Sequence, residues 1–511
     1  MDTRHTRRGG AVTTETSKKG MSAAEDLAKT ESAASLAKRI RRKEISPVEA
    51  MDAAIARIEK YNPAINALVI LKFDEAREAA KAAEAAIMRG DTVGPFHGVP
   101  IAMKDLFDYK PGWPSTFGGI RALKDWVADR YCVFVERMEK AGAIFVGRTN
   151  APVFGFRGVT DNYLFGPSKN PFNLAKNTGG SSGGSAGAVA AGLLPLCEGT
   201  DGGGSIRIPA SWSGVFGYKP AFGRSPLVTR PDAFSGNIPY IFEGSISRTV
   251  EDSALAMTVL AGYDSRDPYA IEGEVDFMGA LTASIKGKRI AYTRDYGIFP
   301  VDPRVVSVVD KAVAAFEEAG AHVEEVEIGI KRSQRELSDL WCRSVAPKQV
   351  AAIEGFKRGG VDLMRDHHDD MPPELWHWDE IGRRMTVTDH LADLAIRTEV
   401  FDALRTVLDR YDYLVSPTLA CLAVDNATDG NTLGPAEING EPIDRLIGWC
   451  MTYLINFIGY PAATVPAGLA DGLPVGMQIV GKRYADFDVI AASAEFERLR
   501  PWMDTYRQVR L

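Results

Sequence analysis

Several common features are missing from this sequence of 511 residues, and their absence excludes whole classes of protein. It has no run of about 18 consecutive apolar residues, so we expect no membrane-spanning helix. Its net charge of −7 lacks the positive excess on which nucleic-acid binding usually depends, so we expect no nucleic-acid partner. It has neither a Cys-x-x-Cys pair nor a His-Glu-x-x-His pattern, the common spacings of a zinc site.

Cysteine is rare and scattered. The five cysteines are odd in number and far apart in the chain: Cys132, Cys197, Cys342, Cys421 and Cys450. A dispersed, odd set of this kind does not indicate a disulfide framework. We therefore expect buried, reduced thiols and a cytoplasmic location, where disulfides rarely form.

The chain gives few signs of division into parts. Residues 1–21 contain two adjacent arginines without an apolar stretch behind them, so we expect a disordered arm and no signal peptide, with Met21 as an alternative start. Residues 22–511 show no internal repeat or low-complexity linker, which favours a single domain. Residues 330–410 are polar, aromatic-rich and mostly helical in pattern, and we interpret them as a helical insertion or cap near the binding pocket.

Patterns typical of strands and helices alternate along the chain. Val99–Met103 is one of several short apolar stretches that predict buried strands. Ser46 stands before Pro47, with Glu49 three residues after it, and this capping-box signature predicts the start of a helix. The proline that follows Asn62 predicts its end. The alternation favours an α/β fold, with a central sheet flanked by helices.

The glycine-rich stretch from Gly179 to Pro220 carries the strongest chemical signal. It places Ser181 and Ser205 inside glycine clusters, where the backbone can come close to a reacting atom. A serine in this setting is typical of a nucleophile, because the neighbouring backbone N–H groups can hold an oxyanion. The predicted oxyanion donors are the amides of Gly202, Gly203, Gly204 and Ser205.

A serine hydroxyl also needs a base before it can attack a carbonyl group. None of the seven histidines occurs in a pattern typical of a catalytic histidine. Lys104 is the alternative, since it follows an apolar strand and burial disfavours the charged form of lysine. A neutral Lys104 can draw the proton of Ser205 through Ser181. The residues therefore predict a Ser–Ser–Lys relay.

Several motifs, in fixed order, resemble those of the amidase signature enzymes. They are G-V-P-x-x-x-K-D at Gly98–Asp105, G-G-S-S-G-G-S at Gly179–Ser185, G-T-D-x-G-G-S-I-R-x-P at Gly199–Pro209, G-x-x-G-x-K-P at Gly214–Pro220, N-x-x-G-x-P at Asn456–Pro461 and G-L-P-V-G-M-Q at Gly472–Gln478. The resemblance covers most of the chain, from near residue 25 to near residue 505. It implies a mixed, twisted sheet flanked by helices and the hydrolysis of amides without a cofactor or a metal.

The resemblance also assigns roles to individual residues. By it, Ser205 matches the acylated serine, and Lys104 matches the general base. Ser181 matches the bridging serine, which in the family follows a cis peptide bond. Asp201 and Arg207 match residues that we interpret as structural, paired beneath the glycine loop.

The substrate is specified by the variable regions. The family takes small-molecule acyl amides, aryl acylamides, carbamates and some esters. Residues 153–165 and 330–450 are apolar and aromatic-rich here, which favours a hydrophobic or aryl substrate. The predicted substrate-binding residues are Gly155, Phe156, Trp341 and Trp449. A homodimer is one arrangement that the sequence leaves open.

Two other functions stay open. The glutaminase component of glutamyl-tRNA amidotransferase belongs to the same family and releases ammonia from glutamine, although residues 330–410 and the N-terminal arm are unlike that protein. A catalytically silent binding protein on the same fold is the second alternative. The intact set of Lys104, Ser181 and Ser205 argues against it.

Two further patterns are weaker. Ser182 stands in a G-x-S-x-G sequence, which is typical of a nucleophile elbow only where a strand precedes it. We expect a loop at residues 170–178 instead. His367 and His368 lie among acidic residues, but their spacing favours a solvated polar loop over a metal site.

Overall fold

The computed structural model describes residues 31–509 and residue 511. The predicted arm at residues 1–21 lies outside the described residues. The strands are β1 (Leu68–Leu71), β2 (Pro100–Lys104), β3 (Ile144–Thr149), β4 (Lys169–Asn170), β5 (Asn173–Asn177), β6 (Leu196–Asp201), β7 (Phe216–Lys219), β8 (Phe242–Ser247), β9 (Arg289–Tyr292), β10 (His322–Glu325), β11 (Tyr413–Pro417), β12 (Glu437–Ile438), β13 (Glu441–Pro442), β14 (Ala462–Ala470) and β15 (Leu473–Gly481).

The helices lie between these strands and cover the sheet. They are α1 (Ala33–Arg41), α2 (Pro47–Ile65), α3 (Phe73–Arg89), α4 (Val133–Lys140), α5 (Gly183–Ala190), α6 (Arg207–Ser213), α7 (Val250–Leu260), α8 (Phe277–Ala280), α9 (Pro303–Glu318), α10 (Gln334–Arg358), α11 (Leu363–Asp366), α12 (Pro373–Arg384), α13 (Val387–Arg410), α14 (Tyr453–Ile458) and α15 (Asp486–Leu499). Within residues 31–509, no helix combines the length and the apolar character that crossing a membrane requires.

One eleven-stranded sheet takes its strands from most of the described chain, between residues 68 and 481. Its strand order is β1-β3-β2-β6-β8-β7-β14-β15-β11-β9-β10. The neighbours β3, β2 and β6 are parallel, and so are β11, β9 and β10. The other neighbouring pairs are antiparallel. The predicted α/β class with a mixed central sheet is therefore confirmed.

The helix that Ser46 was expected to start is α2, and its capping box is present. Its predicted end at Asn62 is wrong, because α2 continues to Ile65. Asn66 ends it by adopting a left-handed conformation with φ 53° while its N–H donates to the Asn62 carbonyl. Pro63 has no N–H to donate within the helix, and the helix ends two residues after it.

The expected loop at residues 170–178 is also wrong in part. Strands β4 and β5 form a small hairpin there. The backbone N–H of Asn177 donates to the Val424 carbonyl, and the backbone N–H of Asn426 donates to the Ala175 carbonyl. These partners lie about 250 positions away along the chain, so the polar stretch gave no local strand signal. Ser182 follows this hairpin, but it is fully buried and its hydroxyl donates weakly to the Thr200 carbonyl across 3.4 Å.

The region predicted to be a helical insertion contains the four helices α10 to α13. Helix α10 begins with a second capping box, in which Ser333 and Glu336 satisfy each other's backbone N–H groups. Its third turn holds Trp341 against the glycine-rich loop that follows β6. Trp341 thus places this helical region beside the predicted site.

Candidate active site

Two parallel strands bring the predicted base to the glycine-rich loop. In β2 and β6, Ala102 lies opposite Cys197, so the carboxyl ends of both strands meet at one edge of the sheet. Lys104 is the last residue of β2, and it is fully buried. Its Nζ lies 2.8 Å from the Ser181 Oγ and 2.8 Å from the Thr200 Oγ1. The amine is thus held by two hydroxyl groups and faces away from bulk water.

The two predicted serines lie on adjacent segments. Ser181 follows a cis peptide bond from Gly180, as the resemblance implied, and stands just before α5. The Ser182 amide donates to the Ser205 carbonyl across 3.2 Å, which ties the two loops together. Ser181 is 2% exposed and Ser205 is 8% exposed, so Ser205 is the more accessible of the two.

The charge of Lys104 depends on opposing influences. Burial lowers the pKa of this amine to about 8, although the nearby carboxyl groups of Glu198, Asp108 and Asp201 act to raise it. An ordinary lysine releases its proton near pH 10.4. The site therefore supplies a neutral amine at a pH much closer to neutrality, as a proton acceptor requires.

Two side chains fix the direction of the peptides in the predicted oxyanion loop. The Trp341 Nε1–H donates to the Gly202 carbonyl across 2.9 Å. The Thr452 Oγ1–H donates to the Gly203 carbonyl across 2.7 Å. In a trans peptide the N–H points opposite to the carbonyl. The Gly203 N–H therefore points away from Trp341, and the Gly204 N–H points away from Thr452.

The prediction for Gly204 requires a correction. Its N–H donates to the Asp201 Oδ1 across 2.8 Å, so it is not free to hold an oxyanion. The amides of Gly202, Gly203 and Ser205 donate to no acceptor among residues 31–509, and their role stays a prediction. Gly204 is required for another reason. Its φ is +122°, and a Cβ there would lie 1.9 Å from the Thr452 Oγ1.

The loop rests on a buried ion pair. The Arg207 Nη2 lies 2.9 Å from the Asp201 Oδ1, and both side chains are fully buried. Asn456 donates to the same carboxylate, and Gln478 accepts from Arg207. Burial alone would raise the pKa of Asp201, but the charge and hydrogen bonds of Arg207 lower it to about 2. The pairing of Asp201 with Arg207 was predicted, whereas the roles of Asn456 and Gln478 were not.

The predicted substrate-binding residues fall into two groups. Gly155 and Trp341 lie beside the predicted catalytic groups: a Cβ on Gly155 would stand 3.0 Å from the Ser181 Oγ. Phe156 and Trp449 are buried, and Trp449 stacks on Trp212 with 4.5 Å between ring centroids and 6° between planes. This stack gives Trp449 a packing role, while its contact with substrate stays a prediction.

Sequence reasoning missed several residues that shape the site. Thr200 was quoted within a motif, but its hydrogen bond to Lys104 was not foreseen. The G-T-D order could have indicated it, since Thr200 lies near the carboxyl end of β6, which is parallel to β2. Thr452 lies outside the quoted motifs, and no local signal marks it as a partner of the glycine loop.

The chain matches known proteins over most of its length. A family model named Amidase matches residues 49–490. The acylamidase of Rhodococcus erythropolis is 39% identical over 485 residues, covering 94% of this chain and 96% of that protein. The glutamyl-tRNA(Gln) amidotransferase of Moorella thermoacetica has an A component that is 34% identical over 475 residues, covering 90% and 94%.

Solved structures with similar sequences share this fold. A bacterial aryl acylamidase of the amidase signature family is 51% identical, with a TM-score of 0.92 and coverage of 94% of this chain and 98% of that one. A 6-aminohexanoate cyclic dimer hydrolase is 28% identical, with a TM-score of 0.81 and coverage of 94% and 98%. By its motifs, its fold and these matches, the chain belongs to the Amidase family.

Proposed function

We propose that this protein is an amidase that cleaves the C–N bond of a carboxylic amide through an acyl-enzyme on Ser205. The Ser205 Oγ attacks the carbonyl carbon while its proton passes through the Ser181 hydroxyl to the Lys104 Nζ. The C–N bond then breaks, and the departing amine takes the proton. Water attacks the resulting ester and passes a proton through the Ser181 hydroxyl to the Lys104 Nζ. The ester C–O bond then breaks, the acid leaves, and the proton returns along the same route to the Ser205 Oγ.

The observation that carries this proposal is the position of the Lys104 amine. It is fully buried, and it lies 2.8 Å from the Ser181 Oγ. A hydroxyl relay needs a nearby base that is uncharged part of the time, and burial lowers the pKa of this amine toward neutrality. The glycine loop adds amides that can stabilise the negative charge of the tetrahedral intermediates.

For the substrate, we propose a hydrophobic or aryl acyl amide. Ile241 lies nearest to Gly202, and Trp341 lies against the Gly202–Gly203 peptide. The similarity to an acylamidase and to an aryl acylamidase favours the same class. We also propose a cytoplasmic location, which is supported by five buried cysteines in the thiol form.

A direct test is a hydrolysis screen with anilides, aliphatic amides, carbamates and esters, run with the Ser205→Ala variant as control. We expect hydrolysis of anilides by the isolated chain and its loss in the variant. Full activity of Ser205→Ala would contradict the mechanism. A preference for glutamine would instead favour the amidotransferase alternative, to which the amidotransferase relative at 34% identity gives some support.

A further inference from the structure

Helix α10 carries a lysine whose amine has no hydrogen-bond acceptor. The Nζ of Lys348 is buried, and it donates to no group in the described part of the chain. The charged groups that face it are Arg397 on α13 and Asp232 in the loop before β8. A buried ammonium group without an acceptor is very unfavourable in a protein. Lys348 therefore needs an acceptor from outside the chain if it is to keep its charge.

Arg397 is a second cation without a carboxylate partner in the described residues. Its guanidinium donates to two backbone carbonyls, across 2.7 and 2.8 Å, and lies 4.4 Å from the ring centre of Tyr240. The next residue, Ile241, is the one that a Cβ on Gly202 would meet, at 3.7 Å. Arg397 thus lies beside a segment that borders the predicted oxyanion loop.

Helix α10 directs Lys348 toward the same loop. Trp341 stands two turns before Lys348 on one face of this helix, about 10 Å away along the axis. A Cβ on Gly203 would lie 2.7 Å from the Trp341 ring, so this face contacts the loop directly. Val345, Lys348 and Ala352, which continue the face, are only half-buried. The face therefore borders accessible space and is not packed into the core.

The far end of this face contacts the other side of the catalytic groups. The Phe356 ring stacks on that of Phe154, with 6.2 Å between centroids and 18° between planes. Phe154 precedes Gly155, where a Cβ would stand 3.0 Å from the Ser181 Oγ. Lys348 lies between the two contacts of the helix, and so it stands over the region where the substrate must lie.

We propose that Lys348 binds a carboxylate of the substrate, with Arg397 adding to the attraction, and thereby selects aryl amides that carry a carboxylate remote from the C–N bond. This inference rests on the proposed function, because it names the substrate class of that same site. The carboxylate supplies the acceptor that the amine lacks, in a charge-assisted hydrogen bond.

The charge of Lys348 changes when such a substrate binds. Burial lowers the pKa of this amine to about 7, Arg397 lowers it further, and Asp232 acts to raise it. A carboxylate in contact with the amine favours the ammonium form and raises the pKa again. At about pH 8 the free amine is mostly neutral, so binding of the carboxylate takes up a proton.

The first test compares Lys348→Met with Lys357→Met. Lys357 lies on the same helix, but its side chain is 56% exposed and pairs with Asp362. Three substrates are used: para-acetamidobenzoate, with the carboxylate on the amine part; N-phenylglutaramate, with the carboxylate on the acyl part; and the neutral para-methylacetanilide.

We expect the KM for a carboxylate substrate to rise by about tenfold or more in Lys348→Met while kcat is kept, since the lost contact is present before and during the reaction. The KM for the neutral anilide should not rise, and Lys357→Met should behave as the wild type. A rise for one acid alone shows which part of the substrate carries the carboxylate. Unchanged KM values for both acids would overturn the proposal, and so would a wild type that cleaves the neutral anilide and neither acid.

A second test does not depend on turnover. Calorimetry of each acid with Ser205→Ala at about pH 8, in two buffers of different ionisation enthalpy, should show uptake of about one proton. The double variant with Lys348→Met should bind more weakly and take up none. Binding without proton uptake would refute the inference even if Lys348→Met fails to fold. Retained hydrolysis by Ser205→Ala would defeat the proposed function, whereas a silent Ser205→Ala that takes up no proton would defeat this inference alone.

Discussion

The indole N–H of Trp341 donates a hydrogen bond to the Gly202 carbonyl across 2.9 Å. This contact joins helix α10 to the loop that ends in the proposed nucleophile. It fixes the plane of the Gly202–Gly203 peptide, and with it the direction of the Gly203 N–H. The helical region thus helps to set the geometry of the predicted oxyanion loop.

Trp341→Phe should slow turnover because the ring remains while the hydrogen bond is lost. One such bond contributes about 0.5–1.5 kcal/mol, so we expect kcat to fall by about 2- to 13-fold. The matched control is Trp376→Phe, which loses an indole bond of the same 2.9 Å length to the His368 carbonyl, in the same helical region. Steady-state kinetics on one anilide would decide, and equal effects in both variants would argue against a role for the Gly202 contact.

Gly155→Ala should damage catalysis through direct contact with Ser181. The new Cβ would stand 3.0 Å from the Ser181 Oγ and 3.0 Å from the Leu106 Cδ1, at a φ of +68°. We expect at least a tenfold loss of kcat, since a small displacement of a reacting group is costly. Gly297→Ala has a similar φ of +74° with no atom within 4 Å. It should lose about 1 kcal/mol of stability but no activity.

The pH dependence should report the Lys104 amine. Only the neutral amine accepts a proton, and burial lowers its pKa to about 8. Activity should therefore rise with pH up to about 8 and then level off. The measurement is kcat/KM on a non-ionising anilide between pH 6 and about pH 9.5, since this ratio reports groups of the free enzyme. A flat profile through this range would mean that another group is the base.

Arg207→Ala should destabilise the fold strongly. It leaves the Asp201 carboxylate buried without its partner, and breaking a buried pair in this way costs about 3–5 kcal/mol. The control is Arg332→Ala, which removes a partly exposed partner of Glu399 and should leave the unfolding midpoint almost unchanged. Urea unfolding, monitored by fluorescence, measures the midpoint of each variant. Similar midpoints for the two variants would show that the Asp201 pair adds little.

The sequence predicted the elements that motifs mark locally. Lys104 was expected at the end of a buried strand, and Ser181 and Ser205 were expected in glycine turns. The structure places Lys104 beside Ser181, and it pairs Asp201 with Arg207 as expected. These features follow from short stretches of chain whose residue types allow few conformations.

The remaining features depend on contacts between distant segments. Trp341 and Gly202 are 139 positions apart, and Thr452 and Gly203 are 249 positions apart. The Gly204 N–H was assigned to the oxyanion site because its neighbours are glycines, but the nearby Asp201 carboxylate binds it more directly. The local sequence does not specify which acceptor a backbone N–H binds when two lie within hydrogen-bonding distance.

The supports of the glycine loop come late in the chain. Thr452, Asn456 and Gln478 hold the Gly203 carbonyl, the Asp201 carboxylate and Arg207 respectively. During translation, the ribosome therefore releases all three reactive side chains well before it releases the residues that shape the loop around them. A nascent chain that ends at residue 450 should be catalytically silent, and assays of stalled chains of increasing length would show activity only after residue 478 has emerged.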